Sequence, residues 1–247
     1  YQNEIAPIDY AYNTSRAIPV KNEDGSLYFY KVKATDYESF PYANYNVLNE
    51  LTNSGVQQDG SSISINANIM YNPYSWLRTN LVGSYSVSNT EMDSYWGAAT
   101  KHAAVMRLSE EGETSKQPAV ATLPGGGELT KSFTRSESYT LRLQVDLNYS
   151  FGESRQHFIS ASLGGEANST RYKGYSRTDR GYDPYRGYQF VTYPLNQYQS
   201  YDNWLISTKP VITNNLTNTL SAYATLSYSY KNWITLNVNG RYDGSNR

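Results

Sequence analysis

Between Tyr139 and Phe151 every odd position is apolar (Tyr139, Leu141, Leu143, Val145, Leu147, Tyr149, Phe151) and every even one polar (Thr140, Arg142, Gln144, Asp146, Asn148, Ser150). Successive side chains of a strand point to opposite sides, so this period fixes one long strand with an apolar and a polar face. The pattern recurs over 62–71, where only Met70 breaks it, and over 77–88, 157–168, 219–230 and 233–242. Six strands are expected, antiparallel and consecutive.

Their length narrows the class. A soluble sheet uses strands of about 5 to 6 residues, whereas a tilted strand needs roughly 9 to 11 to cross a bilayer. The connections alternate as well: Asn72 to Trp76, Gly152 to Gln156 and Lys231-Asn232 are short, while Asn89 to Ser138 and roughly Arg171 to Thr219 are long. Membrane barrels have brief turns at one end and extended loops at the other, with aromatic girdles. Tyr71, Trp76, Tyr149, Phe151, Tyr228, Tyr230 and Trp233 flank the short turns. The expected fold is therefore all-β, an antiparallel transmembrane β-barrel segment of about six to eight long strands with long extracellular loops. Residues 1–61 are expected to be mainly extracellular loop and hairpin, and 62–247 barrel strands with two long loops. The competing reading is a soluble or surface-attached, tyrosine-rich β-sandwich that binds carbohydrate or acts in adhesion.

Composition removes other classes. Lys+Arg 21 against Asp+Glu 22 leaves a net charge of −1, which offers no basic field for nucleic acid. No apolar run exceeds four residues, so no helical span is expected. With no cysteine and only His102 and His157, thiolate metal sites, thiol catalysis and histidine triads lack their parts. No enzyme, metal site or cofactor is expected. A mean hydropathy of −0.67 does not argue against a barrel, whose strands alternate and whose loops are polar.

Six strands are fewer than the 8 of the smallest outer-membrane barrels. The chain opens without methionine and stops just after Tyr242-Asp243-Gly244-Ser245, so it reads as an internal piece ending at the start of another loop. The run Tyr228-Ser229-Tyr230-Lys231-Asn232-Trp233, followed by Arg241-Tyr242-Asp243-Gly244-Ser245-Asn246-Arg247, resembles the SusC/RagA family of TonB-linked outer-membrane transporters. In that family a Tyr-Ser-Tyr-Lys turn leads to a strand ending in Arg, any residue, Asp-Gly-Ser-Ser-Arg-Phe; this chain departs at Asn246. Ser15-Arg16-Ala17-Ile18-Pro19, Asn22-Glu23-Asp24-Gly25-Ser26-Leu27-Tyr28, Tyr45-Asn46-Val47-Leu48-Asn49-Glu50 and Tyr71-Asn72-Pro73 with Trp76-Leu77 are similar too.

The resemblance implies a plugged barrel of about 22 strands in the outer membrane of a Gram-negative bacterium. It also implies import of oligosaccharides or peptides beneath a SusD-like surface lipoprotein. Plug, barrel termini and the segments that contact the TonB complex would lie outside this chain.

Individual residues divide into local and functional readings. Asp24-Gly25, Asp59-Gly60 and Asp243-Gly244 read as tight turns, and Gly125-Gly126-Gly127 as a flexible loop tip without the Lys-Ser/Thr of a phosphate loop. Glu110, Glu111 and Glu113 read as a solvated face, and Asp179 with Asp183 offer at most a weak calcium site. Arg78, Arg142, Asp146 and Arg241 share the polar parity and should face the lumen, pairing across strands. The stretch Tyr172 to Trp204 is dense in aromatics and arginines. Within it Arg180, Tyr182, Asp183, Tyr185, Arg186, Tyr188 and Trp204 are the candidates for contact with substrate or partner, against the alternative that the loop packs on itself.

Overall fold

Alternation of this regularity becomes extended backbone. The structure, a computed structural model, describes residues 7–246. In chain order the elements are α1 (Pro7–Asn13), β1 (Tyr30–Lys33), β2 (Tyr42–Tyr45), α2 (Val47–Asn53), β3 (Ser54–Tyr74), β4 (Leu77–Trp96) and α3 (Lys101–Arg107). Then follow β5 (Gly127–Phe151), β6 (His157–Asp183), a 3-10 turn (Pro184–Arg186), β7 (Gln189–Phe190), α4 (Gln199–Ser207), β8 (Val211–Tyr230) and β9 (Ile234–Asn246). β1 and β2 form a hairpin, and the main sheet runs β3-β4-β5-β6-β8-β9 with β7 hooked onto β6.

All six expected strands are present and every one is longer than its periodicity indicated. β3 opens at Ser54, β4 runs to Trp96, β5 begins at Gly127 and β6 continues to Asp183, so much of both expected long loops is strand. These extensions carry polar residues on both parities, as in Thr134-Arg135-Ser136-Glu137-Ser138, and period 2 is invisible without an apolar face. Asp24-Gly25 is a turn, with Asp24 accepting from the Ser26 backbone N–H at 2.9 Å. Asp59-Gly60 and Asp243-Gly244 are not turns but lie inside β3 and β9. Asp243 is used instead by Arg241, whose Nε donates to both its oxygens at 2.9 Å.

The chain divides into two units. Unit 2 comprises Gly60–Thr90, Thr134–Gly174 and Thr213–Arg247. Its sheet has two unlike faces. On one, Ile65, Leu143 and Leu236 are 61%, 48% and 62% exposed and Leu141, Leu163 and Val238 are exposed as well, while Leu81, Val145 and Leu147 are half-buried. On the other, polar side chains pair across β5 and β6: Asn148 with Ser160, Asp146 with Ser162, Arg142 with Glu166, Thr140 with Asn168 and Ser138 with Thr170. Each pair sits at directly opposed positions, where cross-strand partners contribute about 0.2–1 kcal/mol. Among the described residues unit 2 holds strands of a single sheet.

The short turns of unit 2 are edged by rings in sequence. Tyr74 stacks on Trp76 at 5.2 Å, Trp76 meets Tyr149 edge-on at 6.1 Å, Tyr149 stacks on Phe151, Phe151 on His157 at 4.8 Å, and His157 lies 5.0 Å from Tyr230. The last turn has φ of 49° at Lys231 and 56° at Asn232. Positive values at both central residues are the type I′ geometry that suits the twist of paired strands.

Unit 1 comprises Tyr1–Asp59, Glu91–Phe133 and Tyr175–Ile212. It holds two small cores, Phe40, Ala43, Ala104 and Leu108 in one, Ala121, Tyr198 and Tyr201 in the other. Asn46 ties the hairpin region together: its side-chain oxygen caps α2 at Leu48 and Asn49, and its amide donates to the carbonyls of Val20 and Tyr28 at 2.7 Å. The short helices escaped the periodicity because seven to nine residues complete only about two turns.

Candidate functional site

The aromatic stretch of unit 1 resolves into a packed base and a projecting tip. The base is organised by Glu128 at the start of β5. One of its oxygens accepts from Arg180 Nε at 2.8 Å, and the other lies 3.2 Å from His102 Nε2. Arg180 also donates to the Thr122 carbonyl at 2.9 Å and holds its guanidinium 4.1 Å from the centre of the Trp204 ring. His102 stacks on Trp96 at 4.8 Å. Burial pushes the Glu128 carboxyl up, but the bonds from His102 and Arg180 outweigh it and hold the group below the usual carboxylate range. A single carboxylate thus joins α3, β5, β6 and, through the stacked guanidinium, α4.

Tyr201 stacks on Trp204 at 6.0 Å, and Tyr193 meets Tyr198 edge-on at the same distance. Burial raises the phenols of Tyr193 and Tyr201. The three glycines expected as a flexible tip are points of close packing. A Cβ at Gly126 would come within 2.7 Å of the Gly181 carbonyl carbon, and one at Gly125 would overlap the Tyr193 hydroxyl. Loss of a side chain here serves close approach of the backbone rather than freedom.

Beyond this base the chain turns at Asp183 to Gln189. Asp183 accepts from the Tyr185 N–H at 3.0 Å and lies 3.4 Å from Arg186 Nε; Tyr182 packs on Phe190 across the β6–β7 pair at 5.5 Å. Tyr188 adopts φ 59°, a left-handed conformation uncommon for a bulky residue. Tyr185 and Tyr188 are left 83% and 74% exposed, with the ion-paired Arg186 side chain equally exposed beside them.

The seven candidates therefore separate. Arg180 and Trp204 are engaged inside unit 1, Tyr182 and Asp183 hold the tip, and Tyr185, Arg186 and Tyr188 are presented to solvent. Tyr172 and Tyr175, expected in a loop, lie on β6. Of the residues on the polar face of unit 2, Arg142 and Asp146 are paired as described, Arg241 also reaches Ser221 Oγ at 3.2 Å, and Arg78 is exposed. Asp179 bonds Arg177 at 2.7 Å, and Glu110, expected on a solvated face, is half-buried and accepts from Lys31 and the Asn44 N–H. The organising roles of Glu128, His102 and Trp96 had no sequence signal, because Glu128 meets its partners 26 and 52 residues away.

No family model matches the sequence, and no curated protein matches it. Solved structures do resemble the fold. The RagAB peptide importer in its "closed-closed" state superposes with a TM-score of 0.63 at 13% identity, covering 90% of this chain and 21% of that one. Its "open-open" state gives 0.62 at 13% identity over the same shares, and a further RagAB peptide transporter structure gives 0.62 at 12%. The architecture is mostly antiparallel β, in open sheets, and matches a β-barrel segment of a SusC-like protein. The chain spans 21% of the length of the chains it matches.

Proposed function

We propose that this chain forms part of the wall and surface loops of an outer-membrane, TonB-dependent transporter of the SusC/RagA kind, which imports oligosaccharides or peptides together with a SusD-like lipoprotein. The observation that carries the reading is the two-faced sheet of unit 2. A bare apolar face of this extent would be a liability in water, whereas lipid covers it at no cost. The opposite face, with its ladder of paired polar groups, suits a hydrated or plugged lumen. The ring-to-ring contacts along the short turns match an interfacial girdle. The likeness to RagAB supports the transporter class.

Within this reading the chain does no covalent chemistry. Its strands provide the wall, its long connections lie outside the cell, and the tip carrying Tyr185, Arg186 and Tyr188 meets the lipoprotein or the cargo. Tyrosine offers large contact area with only two side-chain torsions to fix on binding, which suits such a contact.

Fractionation of cells expressing the tagged parent protein tests the proposal. The expected result is recovery in the outer membrane, extraction only by detergent, and co-purification with a surface lipoprotein. Recovery of the intact parent protein in the aqueous fraction contradicts it.

A further inference from the structure

Two of the short turns of unit 2 carry cations where turn formation does not ask for them. Arg155, between β5 and β6, has φ of 50°, and Lys231, between β8 and β9, has φ of 49°. Left-handed backbone of this kind is held with least strain by glycine, asparagine or aspartate. A long charged side chain at both positions is a departure that points to use. The two turns are also joined, because the Lys231 N–H donates to the Gln156 carbonyl at 2.7 Å.

Between them lies a pocket of about 380 Å³, within the range of small-ligand sites. Arg155 and Lys231 both line it, with the hydroxyls of Ser154 and Ser229 and the amides of Gln156 and Asn232. Phe158 adds an apolar wall. Ser229 is buried, and its hydroxyl accepts from Thr235 Oγ1 at 3.2 Å, which leaves its own O–H to donate. Elsewhere Arg142, Arg180 and Arg241 each hold a carboxylate. Among the described residues Arg155 holds none, and the Lys231 ammonium has only the Tyr230 ring, 5.4 Å from its centre. Glu153, in the same turn as Arg155, is exposed and is not part of the pocket lining.

From this geometry we infer that the pocket binds a phosphomonoester. Two cations match the roughly two negative charges of that group near pH 7, and the neutral donors match its three acceptor oxygens. The Arg155 fork takes two oxygens side by side, while Lys231 acts as a point charge. Phe158 and Ser229 belong to the polar parity of their strands and Tyr230 to the apolar one, so the site stands at the rim where the two faces meet. Two sources share the chemistry: a soluble phosphate ester and a lipid headgroup. As a lipid site it rests on the transporter reading; as a phosphate site it does not.

Titration calorimetry on the maltoside-purified parent protein, in a phosphate-free buffer, tests it with four probes: inorganic phosphate, acetate, dihexanoyl phosphatidic acid and dihexanoylglycerol. At least one phosphate should bind, about tenfold or more tighter than its counterpart, acetate or dihexanoylglycerol. The tighter phosphate assigns the source, and equal binding of the two leaves the phosphate group itself as what is recognised. Arg155→Asn with Lys231→Asn should abolish the preference, since asparagine removes the charge yet suits the positive φ. No binding of either phosphate, counterparts that bind as tightly, or a folded double variant that keeps the preference overturns the inference. The comparisons on the wild-type protein hold whether or not the variant folds. If the parent protein proves soluble, the transporter reading falls while the same titrations still decide the pocket. If it is recovered in the outer membrane yet binds neither phosphate, only the pocket falls.

Discussion

The ring of Tyr223 on β8 lies over Gly164 on β6, close enough that a Cβ at position 164 would overlap it, and its hydroxyl donates to Gln144 Oε1 on β5 at 2.8 Å. One side chain thus spans three strands on the polar face of unit 2, and the missing side chain at Gly164 is what lets it lie flat. Tyr223→Phe should cost about 1 kcal/mol, the usual net value of one hydrogen bond. Gly164→Val should cost more, because the ring must lift and leave Gln144 without its partner. Urea titration of the parent protein in lipid vesicles measures both, and a harmless Gly164→Val would show that the ring does not need that space.

Leu143 and Val145 are on the bare face of β5, and Gln144 between them is on the paired face. If lipid covers the bare face, arginine at Leu143 or Val145 should cost about 2–4 kcal/mol near the bilayer midplane, and much less at Gln144. Equal losses at both parities in the same titration would contradict the assignment.

The Glu128–Arg180 pair is largely buried, with 14% and 11% of the side chains exposed. Arg180→Met leaves the buried carboxylate with His102 as its remaining partner, and breaking a buried pair costs about 3–5 kcal/mol. The loss should appear locally, as faster hydrogen exchange in α3 and α4, with the strands of unit 2 unchanged. Uniform loosening of both units would contradict a local role.

That same carboxylate sets a pH dependence. The folded-state pKa of Glu128 lies below its unfolded value, so its contribution is complete above the ordinary carboxylate pKa of about 4.3 and is lost as pH falls through the depressed folded value. Hydrogen exchange of α4 should therefore be protected at pH 6 and lose protection in the acid range. Glu128→Gln should remove this acid-dependent component, and an unaltered acid profile in that variant would refute it.

At the tip, Tyr185→Ala with Tyr188→Ala should weaken association with the lipoprotein or cargo while leaving barrel assembly intact, since exposed rings contribute little to folding and interface aromatics commonly contribute 1 kcal/mol or more, roughly. Trp204→Ala should act oppositely, disturbing loop order first. Co-purification and surface proteolysis of the variants separate the two effects. Wild-type association in the double variant would leave the tip without the proposed role.

Sequence and structure agree best where one face of a strand is apolar. Period 2 located all six strands because Leu141, Leu143 and Val145 could be told from Arg142, Gln144 and Asp146 by polarity alone. It stopped at Ser138 and Asn168, where both faces become polar while the backbone continues as strand. The aromatic edge was legible because the rings flank short turns. The Glu128 network was not legible, since it depends on tertiary approach of segments far apart in the chain. Asp59-Gly60 and Asp243-Gly244 show the limit of local turn chemistry, because ladder pairing of β3 with β4 and of β9 with β8 overrode the dipeptide preference.

The central claim is that the apolar parity of unit 2 faces lipid and the other faces the lumen. Spin labels placed one at a time from Tyr139 to Phe151 in the parent protein, reconstituted in vesicles, test it through collision with oxygen, which concentrates in lipid, and with a water-soluble nickel complex. The account predicts a strict period of two, with odd positions open to oxygen and even positions open to nickel or shielded from both. Accessibility without that period, or with nickel reaching the odd positions, would contradict it.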